Sequence, residues 1–376
     1  MTVKRLITPL LSLFLYVLGS QSINLYLNVM LAENNYSQLA VSLMNSIGFC
    51  GFFITGFYTD RFIHWAGLTQ TFIICALVGG ILGGMFFVVE SYYGLLALRL
   101  MLGVIVGVMY IVIESWILMI PPLKKRGQHF AFYMVVLYLG QTFSPFLLEL
   151  QFNNPKNLFM LASWFCLSSM LPIIVSNNKV IVINPAHHTQ LNIMQVFKKS
   201  LIGFMGCVIS GVLLASYTSL IPYYAVKENY SVSLLMSSLV AGGSIFQWPL
   251  GLYADLFGRQ QTLKTLFIAL TMPSLFLFYA HDQFYLSIAI FLVGGLSFAI
   301  YPISIALTCD LTDDHEVVSV TKILLLAWSL GAIFGLPVVA AVMDLANMNQ
   351  LLFLITGILS LLSAGAIELL TPKNRY

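Results

Sequence analysis

Long apolar runs with almost no charge constrain this chain more than any other feature. Twelve of them, about 20 residues or more each, follow one another along the sequence, at roughly 6–31, 38–58, 69–90, 94–119, 129–150, 157–175, 200–225, 232–253, 263–281, 283–309, 317–343 and 348–370. About 20 residues in helical form match the thickness of a bilayer's hydrocarbon core. Lipid offers backbone groups no water partner, so each run is expected to be helical. A β-barrel would need short alternating segments, and these runs are continuous. Composition agrees: 59% of the 376 residues are hydrophobic and 8% are charged, where a soluble domain carries about a quarter charged. The chain is therefore expected to be an all-α membrane protein with twelve transmembrane helices in the lipid bilayer. Lys4 and Arg5 before the first run resemble a signal peptide. That run is too long for one and ends in no small-residue cleavage site, so it reads as an uncleaved first span.

Loop charges suggest a direction. With the N-terminus inside, the inner segments hold Lys4, Arg5, Arg61, Lys124, Lys125, Arg126, Lys179, Lys198, Lys199, Arg259, Lys264, Lys322, Lys373 and Arg375, 14 of the 17 basic residues. Outer segments hold Lys156 and Lys227, and Arg99 falls within a span. This positive-inside bias predicts a bacterial cytoplasmic (inner) membrane protein with both termini in the cytoplasm. The polar stretch 176–199 divides the chain into an expected six-helix half at 1–175, a cytoplasmic linker, and a second half at 200–376. The five cysteines lie in apolar runs without CxxC spacing and read as buried side chains. His187 and His188 fall in the linker and read as solvated, so no metal site and no cofactor is expected. A net charge of +3 gives no reason to expect nucleic acid as a partner.

The two halves resemble each other. Gly56-Phe-Tyr-Thr-Asp60-Arg61 follows the second run and Gly251-Leu-Tyr-Ala-Asp255-Leu-Phe-Gly258-Arg259 the eighth, 195 residues on. Gly103 and Tyr110 match Gly294 and Tyr301 at an offset of 191, as Gly140 and Ser144 match Gly331 and Gly335. Such agreement predicts duplicated six-helix halves.

The Gly-x-x-x-Asp-x-x-Gly-Arg pattern, complete at Gly251, Asp255, Gly258 and Arg259, resembles the loop signature of the major facilitator superfamily. The first copy departs from it, with Ile63 and His64 where glycine and arginine are expected. Arg99-Leu-Met-Leu-Gly103-Val-Ile-Val-Gly107 looks like that family's span-four arginine motif. Through Glu114-Ser115 the stretch also resembles a YcaD-like branch of bacterial transporters. Gly140-Gln-Thr-Phe-Ser144-Pro145 partly matches an antiporter motif, with serine for its second glycine. The resemblance implies two pseudo-symmetric six-helix halves that rock about a central cavity lined by the first, fourth, seventh and tenth helices.

Charge inside a span is costly and marks function by default. Arg99 and Glu114 are the candidates for proton or substrate coupling, about 22 Å apart along one helix at 1.5 Å per residue. Structural pairing is the alternative: Arg99 with Glu90 or Glu149, and Glu114 with Arg61 or the Lys124–Arg126 cluster. Gly56, Asp60, Arg61, Gly251, Asp255, Gly258 and Arg259 are the candidate cytoplasmic gates, with Asp310 a natural partner for Arg259 and the Asp310–Glu316 acidic run one for the Lys124–Arg126 loop. Gln21, Asn24 and Asn28 recur at helical spacing in an apolar span and, with Tyr110, Gln141, Tyr217 and Tyr301, are expected to line the cavity. Each also fits a packing role.

No GxxxxGK[ST] loop and no triad order occurs, so neither an ATP-driven pump nor an enzyme is expected. The function expected is secondary transport of a small-molecule substrate coupled to protons, by a monomer. A non-transporting receptor or assembly factor on the same fold is the alternative.

Overall fold

The computed structural model describes residues 2–119, 126–150, 152–176, 192–313 and 316–370. The side chains of residues 2–6, 60, 117–119, 126–131 and 318 are not among those described. The linker histidines, Lys124, Lys125 and Asp314 lie outside these residues, as does most of 176–199.

Regular structure among the described residues is helical throughout. The chain runs α1 (Thr2–Glu33), α2 (Gln38–Val88), α3 (Tyr92–Met119), α4 (Arg126–Phe143), α5 (Asn157–Ser168), α6 (Leu171–Ser176) and α7 (Ile193–Lys199). It continues as α8 (Leu201–Lys227), α9 (Val232–Phe257), α10 (Arg259–Tyr279), α11 (Gln283–Cys309), α12 (Val317–Leu330), α13 (Leu336–Ala346) and α14 (Leu351–Leu370). Ten segments of the described residues are long and apolar enough to cross a membrane. The two other expected spans are still helical, in α4 and in the 26-residue α9. Expected spans two and three follow one another within α2 as two helical stretches that meet at Gly67, whose backbone is not helical (φ 76°, ψ 163°). The fifth span gives way to a 3-10 turn at Ser144–Glu149, where Pro145 has no amide to donate. The eleventh passes from α12 to α13 through a π turn at Gly331–Gly335.

Local signals account for the helix ends. The Ser37 and Ser231 hydroxyls accept from the Ala40 and Leu234 amides at 3.1 and 3.3 Å, and Asp282 accepts from Phe284 N at 2.9 Å. Asn35, Asn229 and Asn347 follow α1, α8 and α13 in the left-handed region, at φ 58°, 58° and 52°, a conformation asparagine tolerates better than most residues.

The helices form two compact units, Met1–Met30 with Ile47–Pro185, and Leu31–Ser46 with Ala186–Tyr376. Each unit is built around backbone-to-backbone approaches at glycine, and these repeat. In the first unit, a Cβ on Gly51 would strike the Leu100 carbonyl and one on Gly103 the Gly48 carbonyl, joining α2 to α3. In the second, Gly242 meets the Phe291 carbonyl and Gly294 the Leu239 carbonyl, joining α9 to α11. All four positions are offset by 191 residues. At the same offset, Gly140 packs on Val17 and Gly331 on Val208. Glycine here lets helix backbones touch where lipid supplies no hydrophobic drive for association.

The helix breaks correct the register of the first loop. Gly67 (φ 76°, ψ 163°) and Gly258 (φ 86°, ψ 136°) are the two glycines with positive φ among the described residues, and they too stand 191 apart. The position matching Asp255 is therefore His64, and Asp60 matches Gly251. The 195-residue offset paired the two aspartates by identity, whereas backbone geometry pairs the two hinges.

One departure from the repeat concerns α2. Its cap Ser37 and the α9 cap Ser231 are 194 residues apart, while Gly48 and Leu239 deeper in the same helices are 191 apart. The start of α2 is thus longer by three residues, almost one turn or about 4.5 Å. That added turn belongs to residues 31–46, which pack with the second unit.

Candidate functional site

In the first unit, α1, α3 and α4 bring together the polar residues that apolar spans would otherwise exclude. Arg99 of α3 is 8% exposed, and its Nη2 donates to Asn24 Oδ1 of α1 at 2.6 Å. Its guanidinium lies against Gly48 of α2, where a Cβ would come within 2.8 Å of Nε. Glycine at that position is what admits the charge. About three turns along α3, Tyr110 receives a hydrogen bond from Gln21 Nε2 at 3.4 Å, and Gln141 of α4 reaches the same hydroxyl. Gln21, Asn24, Tyr110 and Gln141 are only half-buried, so these groups form a polar surface and not a sealed core. Asn28, the third residue of the α1 stripe, is fully buried and does not belong to that surface.

Glu114 is half-buried one turn beyond Tyr110, on the side of α3 that faces Tyr133 of α4. Among the described residues no Lys or Arg nitrogen lies within ion-pair distance of its carboxyl, Arg61 included. Glu90, an alternative partner for Arg99, instead pairs with Lys156 at 2.7 Å. That ammonium holds the Glu90 carboxyl below its ordinary pKa.

The second unit holds the complete loop motif. Arg259 Nη1 lies 2.5 Å from Asp310 Oδ1 and also donates to the Ala306 carbonyl, while Nη2 is 3.8 Å from Asp255. The expected Arg259–Asp310 pair is present, and it ties the start of α10 to the end of α11. A cavity of about 160 Å³ opens beside it, lined by Gln247, Asp255, Arg259 and Pro302 among others. Gly251 does not provide the expected close approach, since a Cβ there would meet nothing within 4 Å. Gly258 is the glycine the backbone requires, for its positive φ.

Other expected residues lie apart from these clusters. Tyr217 is fully buried, its hydroxyl facing Ser274 of α10 and Thr356 of α14, so it is core and not cavity lining. Tyr301 packs edge-on against Trp328 at 6.2 Å. Gly56, Asp60 and Arg61 lie within continuous helix before the Gly67 break, not in a loop, and Arg61 is exposed. Of the acidic run, Glu316 pairs with Lys199 and Asp310 with Arg259, while the side chains of the basic loop at 124–126 lie outside those described.

Sequence reasoning missed Asp344, a half-buried acid at the end of α13 that binds the first amides of α2. A lone acid three residues before Asn347 was the only signal, and its partner is over 300 residues away. It also missed His64 as the counterpart of Asp255.

Two overlapping matches to the family model of the Major Facilitator Superfamily, residues 10–238 and 203–375, cover nearly all of the sequence. The chain belongs to this superfamily and is a multi-pass helical membrane protein. It is 25% identical over 354 residues to the uncharacterized MFS-type transporter YcaD of Salmonella newport (strain SL254), covering 93% of this chain and 91% of the relative. YcaD of Salmonella heidelberg (strain SL476) matches equally. Among solved structures, a mutant of the nucleoside transporter NupG superposes with a TM-score of 0.82 at 14% identity, covering 98% of this chain and all of that one. A bacterial homolog of the human lysosomal transporter Spinster, inward-facing and unoccupied, gives 0.76 at 13% identity, covering 98% and 96%. These two likenesses establish the fold.

Proposed function

We propose that this chain is a secondary active transporter that moves a small molecule across the bacterial cytoplasmic membrane by alternating access, coupled to protons. The Arg99–Asn24 pair carries the reading. A guanidinium inside an apolar helix costs roughly 2.5–3.5 kcal/mol on insertion scales, and packing alone gives no reason to keep it. Held against Gly48 and bound to Asn24 beside a half-buried polar surface, it gives that surface a positive charge suited to a negative or strongly polar group on a solute. Gln21, Tyr110 and Gln141 extend the surface with groups that both donate and accept. Family membership and the transporter names of its relatives support the same reading. Both termini face the cytoplasm, the halves are residues 1–175 and 200–376 joined by a cytoplasmic linker, and the protein works as a monomer.

Glu114 is the proton carrier in this scheme, since it sits on the helix of Arg99 with no cationic partner among the described residues. The Asp255–Arg259–Asp310 cluster forms a cytoplasmic gate that opens and closes once per cycle.

The test begins with binding. Purified protein is screened by thermal shift against metabolites, siderophores and drugs, as a ligand stabilises the state it binds. Hits are then tested for flux in proteoliposomes with and without a pH gradient. A stabilising ligand that crosses the membrane faster with a gradient supports the reading. Ligand binding without flux would favour the receptor alternative.

A further inference from the structure

The start of α2 is tied into the second unit by a chain of polar contacts at its added turn. Asp344 Oδ1 and Oδ2, at the end of α13, accept from the Gln38 and Leu39 amides at 3.0 and 2.8 Å. These are among the first amides of α2, which have no partner within their own helix, and they lie at the positive end of its dipole. The Gln38 side chain, 3% exposed, donates to Asn349 Oδ1 at 2.7 Å. Asn349 in turn donates to Glu228 at 2.8 Å, after the end of α8. Lys227 donates to Asn35 at 2.7 Å, just before α2. Asp344, Asn349 and Lys227, from two separate stretches, thus meet the start of α2 or the residues just before it, with Glu228 behind Asn349.

We propose that Asp344 is a latch that holds the start of α2 to the end of α13, and that its release frees this end of the helix during the transport cycle. The inference rests on the alternating-access reading above. Three observations carry it. First, a carboxylate capping an amide pair across two distant helices is charge-assisted, and so stronger than neutral packing. Second, α2 is divided between the units: residues 38–46 pack with the second and 47–88 with the first. On the alternating-access reading, a helix shared in this way sheds one set of contacts during the cycle, and the latch is a polar part of the set made by residues 38–46. Third, the extra turn that reaches Asp344 has no counterpart in α9, so it is an addition to the repeat and not a product of it.

The test reads latch opening without any substrate. Ser42, fully buried on the second turn of α2, is replaced by the isosteric cysteine. Labelling of Ser42→Cys by a soluble maleimide is followed in nanodiscs, where both faces are accessible. Cys75, Cys166 and Cys207 are buried and Cys50 and Cys309 half-buried, so protein without Ser42→Cys sets the background. Asp344→Ala is expected to raise the labelling rate about tenfold, the effect of losing roughly one charge-assisted bond. Asp344→Lys, which sets a cation against the positive helix end, should raise it further. Asp344→Asn keeps an accepting oxygen, so its rate should stay within about threefold of the parent.

Gln38→Pro attacks the latch from the other side. It removes one donor at the first helical position, where proline is tolerated, and should accelerate labelling even if the Asp344 variants do not fold. Parent-like labelling in folded Asp344→Ala, Asp344→Lys and Gln38→Pro would overturn the proposal. Faster labelling in protein that transports nothing would leave the latch standing and sink the transport reading instead. Flux without any labelling change would do the reverse.

Discussion

Gly67 and Gly258 stand 191 residues apart and hold their backbones at φ 76° and 86°, each where one helix turns into the next. A side chain at these angles is strained, at a cost of about 1–3 kcal/mol. Gly67→Ala and Gly258→Ala should each lower the melting temperature of the purified protein. Gly251→Ala should be neutral or stabilising by up to about 1 kcal/mol, because it sits in helix and its Cβ meets open space. Thermal unfolding in detergent checks all three, and equal losses would refute the distinction.

The glycine pairs inside each unit make a second prediction. Gly103 lies against the Gly48 carbonyl and Gly294 against the Leu239 carbonyl, so an added methyl meets backbone that cannot rotate away. Gly103→Ala and Gly294→Ala should both destabilise, by similar amounts, since the contacts are repeats of one geometry. Overpacking of this kind costs about 1–3 kcal/mol. Gly357→Ala comes no closer than 3.2 Å to any neighbour, the Ser274 Cβ, and should cost less. The yield of monodisperse protein and its melting temperature are the measurements.

The loop register leads to a third. If Asp255 works as a gate, its counterpart by backbone geometry is His64, and Asp60 has no equivalent role. Asp255→Asn should slow flux a few-fold, because an exposed pair is worth up to about 1 kcal/mol and Asp255 is 67% exposed. Asp60→Asn should slow it less. Flux in proteoliposomes, at matched protein incorporation, decides between them. An equal or larger effect of Asp60→Asn would restore the pairing by residue identity.

Much of the fold was legible in the sequence because lipid enforces a simple rule: long apolar runs become helices. The repeat was legible because glycines at close backbone approaches leave a fixed spacing. The place of the break within α2 was not, because Arg61 and Asp60 look like loop residues while the break depends on the backbone angles of Gly67. The Arg99–Asn24 pair was half legible: both residues stood out as polar in apolar spans, but only folding shows that they touch. Burial separated Asn28 and Tyr217 from the polar surface, and burial cannot be read from residue type. Asp344 was invisible for a different reason, since its partners are backbone amides that carry no sequence signature.

The fourth prediction separates the roles of Arg99 and Glu114, which lie about 22 Å apart on one helix and cannot pair directly. Arg99→Gln removes the charge but keeps a donor for Asn24, so the protein should fold, and no insertion cost for a charge remains. Any ligand that stabilises the parent should then lose its thermal shift. Asn24→Asp should give a similar loss by a different route, because the new carboxylate would neutralise the guanidinium in place. Glu114→Gln should leave ligand binding and substrate counterflow intact while abolishing flux driven by a pH gradient. Thermal shift, counterflow and gradient-driven uptake on the same three variants test this. If Glu114→Gln unfolds the protein, the carboxyl is structural. If Arg99→Gln keeps the full ligand shift, the buried guanidinium is an internal brace between α1, α2 and α3, and the substrate binds elsewhere.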